Sequence, residues 1–398
     1  MAVRIRANVE GAPGAAPRRA RIAVSYVFAA HGLLFGSWAP RIPEVKSSLG
    51  LSPGLLGIAL LAPAAGSLLT MPLAGAAASR VGSARATQVV FVAYCLLPWV
   101  VGLAGNLGTL WLALFGWGAA LGSLDVVMNA QGVTVEKAYR RPVLSSFHAA
   151  WSIGALIGTG AGSLLAGAGV PLAVQLAVGG GVLLVVGLPL TRAFLPDPDG
   201  GGERPPAFAR PTGRLLALGA AAFACLVCEG AAADWSAVQL RESLGATVTV
   251  AGAGYIAFTA AMTVGRLLGD RTVARFGRAT TVRALGLLGT VGMAGGLLSG
   301  TIAGWVAGMA VLGLGLSAMV PTLFGAAGAG SGHAGPAIAA VSTCGYLGML
   351  LGPSIIGGLA QGVGLTGALW IVPALTATAA LLGRAADVPA GDKAVSGR

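Results

Sequence analysis

Long apolar segments recur along almost the whole length of this 398-residue chain. Each is long enough to cross the hydrocarbon core of a bilayer, which takes about 20 residues of helix. Only 10% of the residues are charged, against roughly 25% in an ordinary soluble domain. Because an unpaired backbone group in hydrocarbon is costly, the apolar segments must be hydrogen-bonded within themselves as helices. The sequence therefore predicts an all-α membrane protein and excludes a water-soluble fold.

The apolar segments divide into twelve predicted membrane helices. Their expected ranges are 22–40, 55–78, 86–104, 108–130, 143–167, 171–191, 215–235, 249–270, 283–300, 302–323, 336–360 and 366–383. With the amino terminus inside, 22 of the 25 Lys and Arg residues fall on the cytoplasmic side, and only Arg41, Lys46 and Arg241 face outward. This asymmetry is the positive-inside pattern. The net charge of +12 therefore reflects membrane topology, and we expect no nucleic-acid partner.

The sequence repeats itself at an offset of 195 residues. The segment from Gly57 to Gly82 matches the segment from Gly252 to Gly277, and Arg80 aligns with Arg275. Between the two halves, residues 192–214 hold five prolines and four glycines, a composition typical of a linker. Two six-helix halves of the same orientation are typical of one large class of transporters.

This repeat predicts five consecutive regions. They are a cytoplasmic tail, a six-helix bundle, a cytoplasmic linker, a second six-helix bundle and a cytoplasmic tail, at residues 1–21, 22–191, 192–214, 215–383 and 384–398. Both termini are therefore expected in the cytoplasm, with the chain in a bacterial-type inner membrane.

One loop carries a family resemblance. The segment GAAASRVGSAR, Gly75–Arg85, resembles the G-x-x-x-D-R-x-G-R-R signature that follows the second helix in the major facilitator superfamily. The acidic position of that signature is Ser79 here, and its second-half counterpart is Ala274. In the family this carboxylate helps to hold the inner gate closed. Asp270 and Arg266, four residues apart on one helix face, are a local substitute for it. The expected gating residues are Arg80, Arg85, Arg266, Asp270 and Arg275.

A second resemblance is narrower. The stretch GSLDVVMNAQGVTV, Gly122–Val135, is similar to a segment of the fucose-proton symporters. In this resemblance Asp125 falls on a functional glutamate and Asn129 on an asparagine, and His148 occupies a glutamine position in the next helix. The first helix has Ala39 where those symporters carry an aspartate. The resemblance thus implies a sugar-like solute, but not fucose itself.

Asp125 is the strongest candidate for proton coupling. Along its helix, Asp125 lies about 25 Å from the predicted outer end, at a rise of 1.5 Å per residue. Trp117 and Asn129 share its face through their i, i+4 spacing. Removing water disfavours the charged form of a carboxylate, so proton uptake can accompany closure of the site. The other interpretation is a hydrogen-bond anchor between helices.

Glu229 and His31 are further candidates. Glu229 lies near the middle of the seventh helix, at the repeat position of His31 in the first helix. If both helices line the central cavity, the two side chains face each other and exchange protons with it. A histidine buried in the core with its hydrogen bonds satisfied explains His31 equally well.

Several aromatic and histidine side chains are candidate substrate contacts. The expected substrate-binding residues are Asn129, His148, Trp151, Trp38 and Trp235. Tryptophans near helix ends also belong to the aromatic belt at the lipid interface, which is the other interpretation of Trp38 and Trp235. His148 alternatively sits at that interface as an ordinary polar residue.

The favoured function is a secondary transporter that moves a small polar solute, sugar-like in chemistry, by symport with protons or sodium. Proton-driven export of amphipathic compounds, a membrane sensor that moves nothing and a membrane enzyme are the alternatives. No nucleotide-binding loop is present, and the three histidines show no metal-ligand spacing. We therefore expect no cofactor, no metal and no catalytic residue, and we expect the chain to act as a monomer in the bilayer.

Overall fold

The computed structural model describes residues 15–139, 143–196, 212–329 and 334–387, and within these ranges every regular element is a helix. The α-helices are α1 (Ala15–Trp38), α2 (Ile42–Ser48), α3 (Pro53–Val81), α4 (Ser83–Leu96), α5 (Leu107–Tyr139), α6 (Leu144–Gly167), α7 (Leu172–Leu190), α8 (Gly213–Val238), α9 (Ala253–Phe276), α10 (Arg278–Ser299), α11 (Ile302–Leu316), α12 (Met319–Ala329), α13 (Ala334–Ala368) and α14 (Ile371–Leu382).

Eleven helical segments of the described residues are long and apolar enough to cross a membrane. Helices α1 and α2 together form the first crossing, and α11 and α12 together form the tenth. A shorter apolar helix, Ile371–Ala386, lies where the sequence predicts the twelfth. The predicted all-α membrane fold is confirmed. Most of the predicted linker, residues 197–211, lies outside the described residues.

Two helices extend beyond their predicted ends. Helix α1 begins at Ala15 rather than near residue 22, and α5 continues to Tyr139 rather than ending near residue 130. Both extensions carry charged residues, such as Arg18 and Lys137. A helix satisfies its backbone hydrogen bonds in water as well as in lipid, so it need not end where the hydrocarbon ends.

Glycines allow helix backbones to touch inside each half. A Cβ atom on Gly154 of α6 would meet the carbonyl oxygen of Ala29 in α1. In the second half, a Cβ atom on Gly348 of α13 would meet the carbonyl oxygen of Phe223 in α8. These two helix pairs are equivalent by the internal repeat. One joins the first crossing to the fifth, and the other joins the seventh to the eleventh. Small residues at such sites allow the close approach that packs helices in lipid.

The internal repeat is visible in the backbone torsions. Three glycine pairs, each separated by 195 residues, have φ between +59° and +86°. They are Gly50 and Gly245, Gly82 and Gly277, and Gly169 and Gly364. Side-chain-bearing residues rarely adopt this left-handed region, which glycine enters freely. The chain therefore makes the same tight turn at matching points of the two halves.

The two halves meet directly near one end of the bundle, called here the Lys46 end. Lys46 Nζ lies 2.6 Å from a carboxylate oxygen of Glu242. Nearby, the Ser354 hydroxyl of α13 donates to the carbonyl oxygen of Gly57 in α3 at 3.1 Å. The opposite end, where α3 finishes near Arg80, is called the Arg80 end. These two contacts between the halves hold the Lys46 end together.

We expect Gly118→Ala to destabilise the first half. Its Cβ would overlap the backbone of Pro63 in α3, and overpacking of this kind lowers the free energy of unfolding by about 1–3 kcal/mol. Gly116→Ala is the matched control, because no atom lies within 4 Å of a Cβ at that position of the same helix. Thermal unfolding of the purified protein in detergent checks this, and equal midpoints for the two variants would contradict it.

Candidate functional site

Asp125 lies in α5, a helix long enough to cross the membrane. Its side chain is half-buried and shares a helix face with Asn129 one turn away. Asn129 Nδ2 donates to the backbone oxygen of Asp125 at 2.8 Å and to its Oδ1 at 3.3 Å. The i, i+4 spacing predicted this pair, and the structure confirms that the two side chains touch. A carboxylate inside a membrane helix thus has one amide donor from its own helix.

His31 is buried where α1 packs against α6. Its Nδ1 accepts a hydrogen bond from the indole nitrogen of Trp151 at 2.6 Å. The Tyr94 ring lies 4.8 Å from the imidazole, and the Tyr94 hydroxyl donates to the backbone oxygen of His31 at 2.7 Å. Its Nε2 is buried and forms no hydrogen bond with a described residue.

The Trp151 contact defines the protonation state of His31 in this conformation. An indole N–H only donates, so the Nδ1 that receives it must carry no proton. The imidazole is therefore neutral, with its single proton on Nε2. Adding a second proton requires that Trp151 leave, because two donors cannot face each other. The prediction that His31 takes up a proton thus implies movement of Trp151 as well.

The predicted substrate tryptophans differ in exposure. Trp151 is half-buried and lies 6.1 Å from the Phe35 ring. Trp38 is buried edge-on against Trp117 at 6.2 Å, and Trp235 is 0% exposed. Neither Trp38 nor Trp235 faces lipid, so the aromatic-belt interpretation does not fit them. Both rings are therefore enclosed by protein in this conformation.

The second half contributes an ion pair. Glu229 in α8 is 17% exposed, and its Oε2 lies 3.7 Å from Arg266 Nη2 in α9. The Glu229 Oε1 atom is buried and has no hydrogen-bond partner among the described residues. Tyr255 of α9 lies within electrostatic reach of both Glu229 and Arg266. Glu229 is therefore paired with Arg266, and it forms no hydrogen bond or ion pair with His31 among the described residues.

Two side chains extend this site across the gap between the halves. His148 of α6 is exposed and lies within electrostatic reach of Arg266. Tyr346 of α13 lies within electrostatic reach of Asp125. Each of these pairs joins one residue of the first half to one of the second. Asp125, His148 and the Glu229–Arg266 pair thus lie along the boundary between the halves, which is called here the shared space.

A buried arginine of the first half lies at the Lys46 end. Arg41 is 1% exposed and donates to Gln175 Oε1 at 2.8 Å and to the Val170 carbonyl oxygen at 2.8 Å. Its Nε lies 2.7 Å from Glu44. Arg41, Glu44, Arg241 and Glu242 also line a cavity of about 350 Å³ that both halves border. The three basic residues that the sequence predicts to face outward from the membrane lie together at this end. They are Arg41, Lys46 and Arg241.

The remaining gating candidates lie elsewhere. Arg80, Arg85 and Arg275 are exposed, and none forms an ion pair with a described residue. Asp270 falls within α9, but its side chain lies outside the described part of the chain. The Ser79 hydroxyl, at the acidic position of the loop signature, donates to the Ala76 carbonyl of its own helix at 2.8 Å. The gating role of these residues stays a prediction.

Sequence reasoning missed the aromatic hydroxyls and two polar anchors. Tyr94, Tyr255 and Tyr346 lie at the site, and Gln175 holds Arg41. Glu136 Oε2 accepts from the backbone nitrogens of Val143 and Leu144 at 2.7 and 3.0 Å, which caps α6. An amide inside an apolar helix is itself a signal, since polar groups in hydrocarbon are costly. No group of three metal-ligating side chains occurs within the described ranges.

We expect His31 to be the neutral tautomer protonated on Nε2 at neutral pH. Nitrogen-15 NMR of protein labelled at its three histidines measures this directly, and His31→Gln assigns the signal. Trp151→Phe keeps an aromatic ring but removes the indole donor, so both tautomers should appear. A doubly protonated or Nδ1-protonated His31 in the unmodified protein would contradict the hydrogen-bond assignment.

Known proteins resemble this chain over nearly its whole length. An uncharacterised MFS-type transporter of Yersinia pestis is 36% identical over 368 residues, covering 92% of this chain and 95% of the relative. An uncharacterised transporter of Sinorhizobium fredii, y4wD, is 34% identical over 360 residues, covering 89% and 95%. The membrane protein MosC of Rhizobium meliloti is 34% identical over 355 residues, covering 89% and 86%. No protein-family model matches the chain.

Solved structures share the fold at low sequence identity. A D-xylose-proton symporter superposes with a TM-score of 0.72 at 16% identity, covering 91% of this chain and 97% of the symporter. The nucleoside transporter NupG gives a TM-score of 0.67 at 14% identity, with 92% and 98% covered. The curated relatives reach more than 30% identity over most of both chains. The chain therefore belongs to the major facilitator superfamily and is a multi-pass membrane transporter, not an enzyme.

Proposed function

We propose that this transporter carries a small polar, sugar-like solute by symport with protons, through alternating access. The observation that carries the proposal is Asp125, a carboxylate held inside a membrane helix beside Asn129. Charged side chains are rare at this depth and mark ion or substrate pathways. The local resemblance of this stretch to the fucose-proton symporters supports the same class.

The solute class follows from the groups that border the shared space. Asn129 and His148 offer hydrogen-bond donors and acceptors to hydroxyl groups. Trp151 offers an aromatic face of fixed orientation, because His31 holds its indole nitrogen. With Asp125, Glu229 and Arg266 in the same space, the site suits a polar solute better than an amphipathic one. This is why we favour symport of a polar solute over drug-like export.

Proton coupling centres on Asp125, with Glu229 and His31 as further sites. A carboxylate loses its charge more readily when closure of the cavity removes water from it. Its proton can then cross with the solute, and opening to the other side rehydrates and ionises it. Sodium would need several oxygen ligands around it, and the Asp125 site offers one carboxylate and one amide. Protons are therefore the favoured coupling ion.

We place the Lys46 end at the outer face of a bacterial inner membrane. The positive-inside distribution puts 22 of 25 basic residues on the other side, in the cytoplasm together with both termini. Residues 22–191 and 215–383 are then the two moving bundles, joined by the linker 192–214 between the tails 1–21 and 384–398. With the Lys46 end held together, the solute site opens toward the cytoplasm.

We expect Asp125→Asn to abolish proton-driven uptake while leaving solute counterflow intact, because an amide keeps hydrogen bonding but carries no titratable proton. The measurement is uptake of labelled pentoses, hexoses and polyols into proteoliposomes, with and without a pH gradient. Asp125→Glu, which restores a carboxylate, is the control and should regain part of the gradient dependence. Unchanged gradient-driven uptake by Asp125→Asn would remove Asp125 from the coupling step.

We expect the contacts between the halves at the Lys46 end, such as Lys46 with Glu242, to break and re-form during each transport cycle. A bifunctional maleimide joining Lys46→Cys to Glu242→Cys should therefore stop counterflow, since the linked halves cannot separate there. Each single cysteine variant treated with the same reagent is the control and should keep its transport. Full counterflow by the cross-linked protein, with cross-linking verified by mass, would contradict alternating access through this end.

A further inference from the structure

Arg266 lies within the candidate membrane span Val248–Gly269, near the cytoplasmic end of that span. It lies thirteen residues from the start of α9 at Ala253, or about 20 Å along the helix axis. Its neighbours are Glu229 of α8, and His148 of α6 in the other half. A lipid-facing arginine would extend toward the interface instead. The guanidinium therefore lies in the space between the halves.

The contact with Glu229 leaves most of the hydrogen-bond donors of this guanidinium without a partner among the described residues. The closest contact, Nη2 to Oε2, is 3.7 Å, whereas hydrogen-bonded arginine–carboxylate pairs lie at about 2.7–2.9 Å. A guanidinium has five N–H donors, and those of Arg266 form no hydrogen bond with a described residue. The Arg266 side chain is 42% exposed, so its remaining donors are accessible from the shared space.

The charge balance of the site limits what can bind there. Arg266 is one cation beside one carboxylate, so a doubly charged phosphate would leave two negative charges uncompensated and a singly charged carboxylate only one. A planar, singly charged carboxylate matches the fork of an arginine and forms two parallel hydrogen bonds with it. Proton uptake at Asp125, as proposed above, removes the negative charge that would otherwise oppose an anion in this space.

We propose that the solute carries a carboxylate group and that Arg266 binds it. This inference rests on the proposed function and narrows it, since the solute becomes a small hydroxylated acid of the sugar-acid type. Its carboxylate takes the free edge of the guanidinium in the second half. Its hydroxyl groups and its ring lie toward Asn129 and Trp151 in the first half.

The test compares neutral sugars with the matching acids on full-length protein purified in detergent. The probes are D-glucose with D-glucuronate and D-galactose with D-galacturonate, titrated by calorimetry. A bidentate charged contact predicts that the acid of a pair binds roughly 10- to 100-fold more tightly than the neutral sugar. Arg266→Gln should abolish that preference, and Arg266→Lys should retain part of it.

Two further variants separate binding from folding. Arg275→Gln removes an exposed charge from the same helix at the Arg80 end, and it should leave the acid preference unchanged. Glu229→Gln removes the competing carboxylate but keeps the shape of the side chain. It should bind the acid at least as tightly as the unmodified protein, and weaker acid binding would overturn the proposal whether or not Arg266→Gln folds.

The possible results distinguish this inference from the proposed function. Equal binding of acid and neutral sugar, or an acid preference that survives Arg266→Gln, overturns the role of Arg266 and leaves sugar transport standing. Absence of binding for both members of both pairs counts against the sugar-like class and against the inference with it. Acid binding that needs Arg266 but drives no proton-coupled uptake supports the inference and removes the coupling.

Discussion

Hydrocarbon cannot hydrate a charge or an unpaired backbone group, and this constraint shapes the whole molecule. It forces the chain into helices that satisfy their own backbone, and it confines charged side chains to places where they find partners or water. Asp125 is held by Asn129, Glu229 lies beside Arg266, and Arg41 is enclosed by polar atoms. The few polar groups inside the bundle therefore mark the proposed solute site and the Lys46 end.

Glycine packing explains how a molecule built under this constraint can still move, one half relative to the other. Without a strong hydrophobic force between helices in lipid, packing depends on close backbone approach. Glycines such as Gly154 and Gly348 supply it inside each half, so each half is a tightly packed unit. Between the halves, the Lys46 end is held partly by polar contacts such as Lys46 with Glu242. An exposed ion pair contributes little stability, so this contact opposes separation only weakly.

The sequence was sufficient for the fold and for most members of the site, but not for their pairing. Apolar length and the repeat predicted the helices, and charge inside apolar segments pointed to Asp125 and Glu229. Spacing along one helix correctly paired Asp125 with Asn129. It also suggested Arg266 with Asp270, whose side chain lies outside the described residues, but it did not predict that Arg266 meets Glu229 on another helix. Contacts between helices depend on the rotation of each helix about its axis, which no single helix encodes. The burial of Trp38 and Trp235 and the position of Tyr346 were missed for the same reason.

The division of the site between the halves explains how a solute can drive the transport cycle. The first half contributes the carboxylate–amide pair and the Trp151 face, and the second contributes the Glu229–Arg266 pair. A ligand shifts an equilibrium between conformations only as far as it binds one of them better. A solute with a polar ring and an acidic group contacts both halves at once, and it contacts them best when the halves come together around it. A solute that lacks either part touches one half only. It therefore binds the open and closed conformations equally well and does not shift the equilibrium between them.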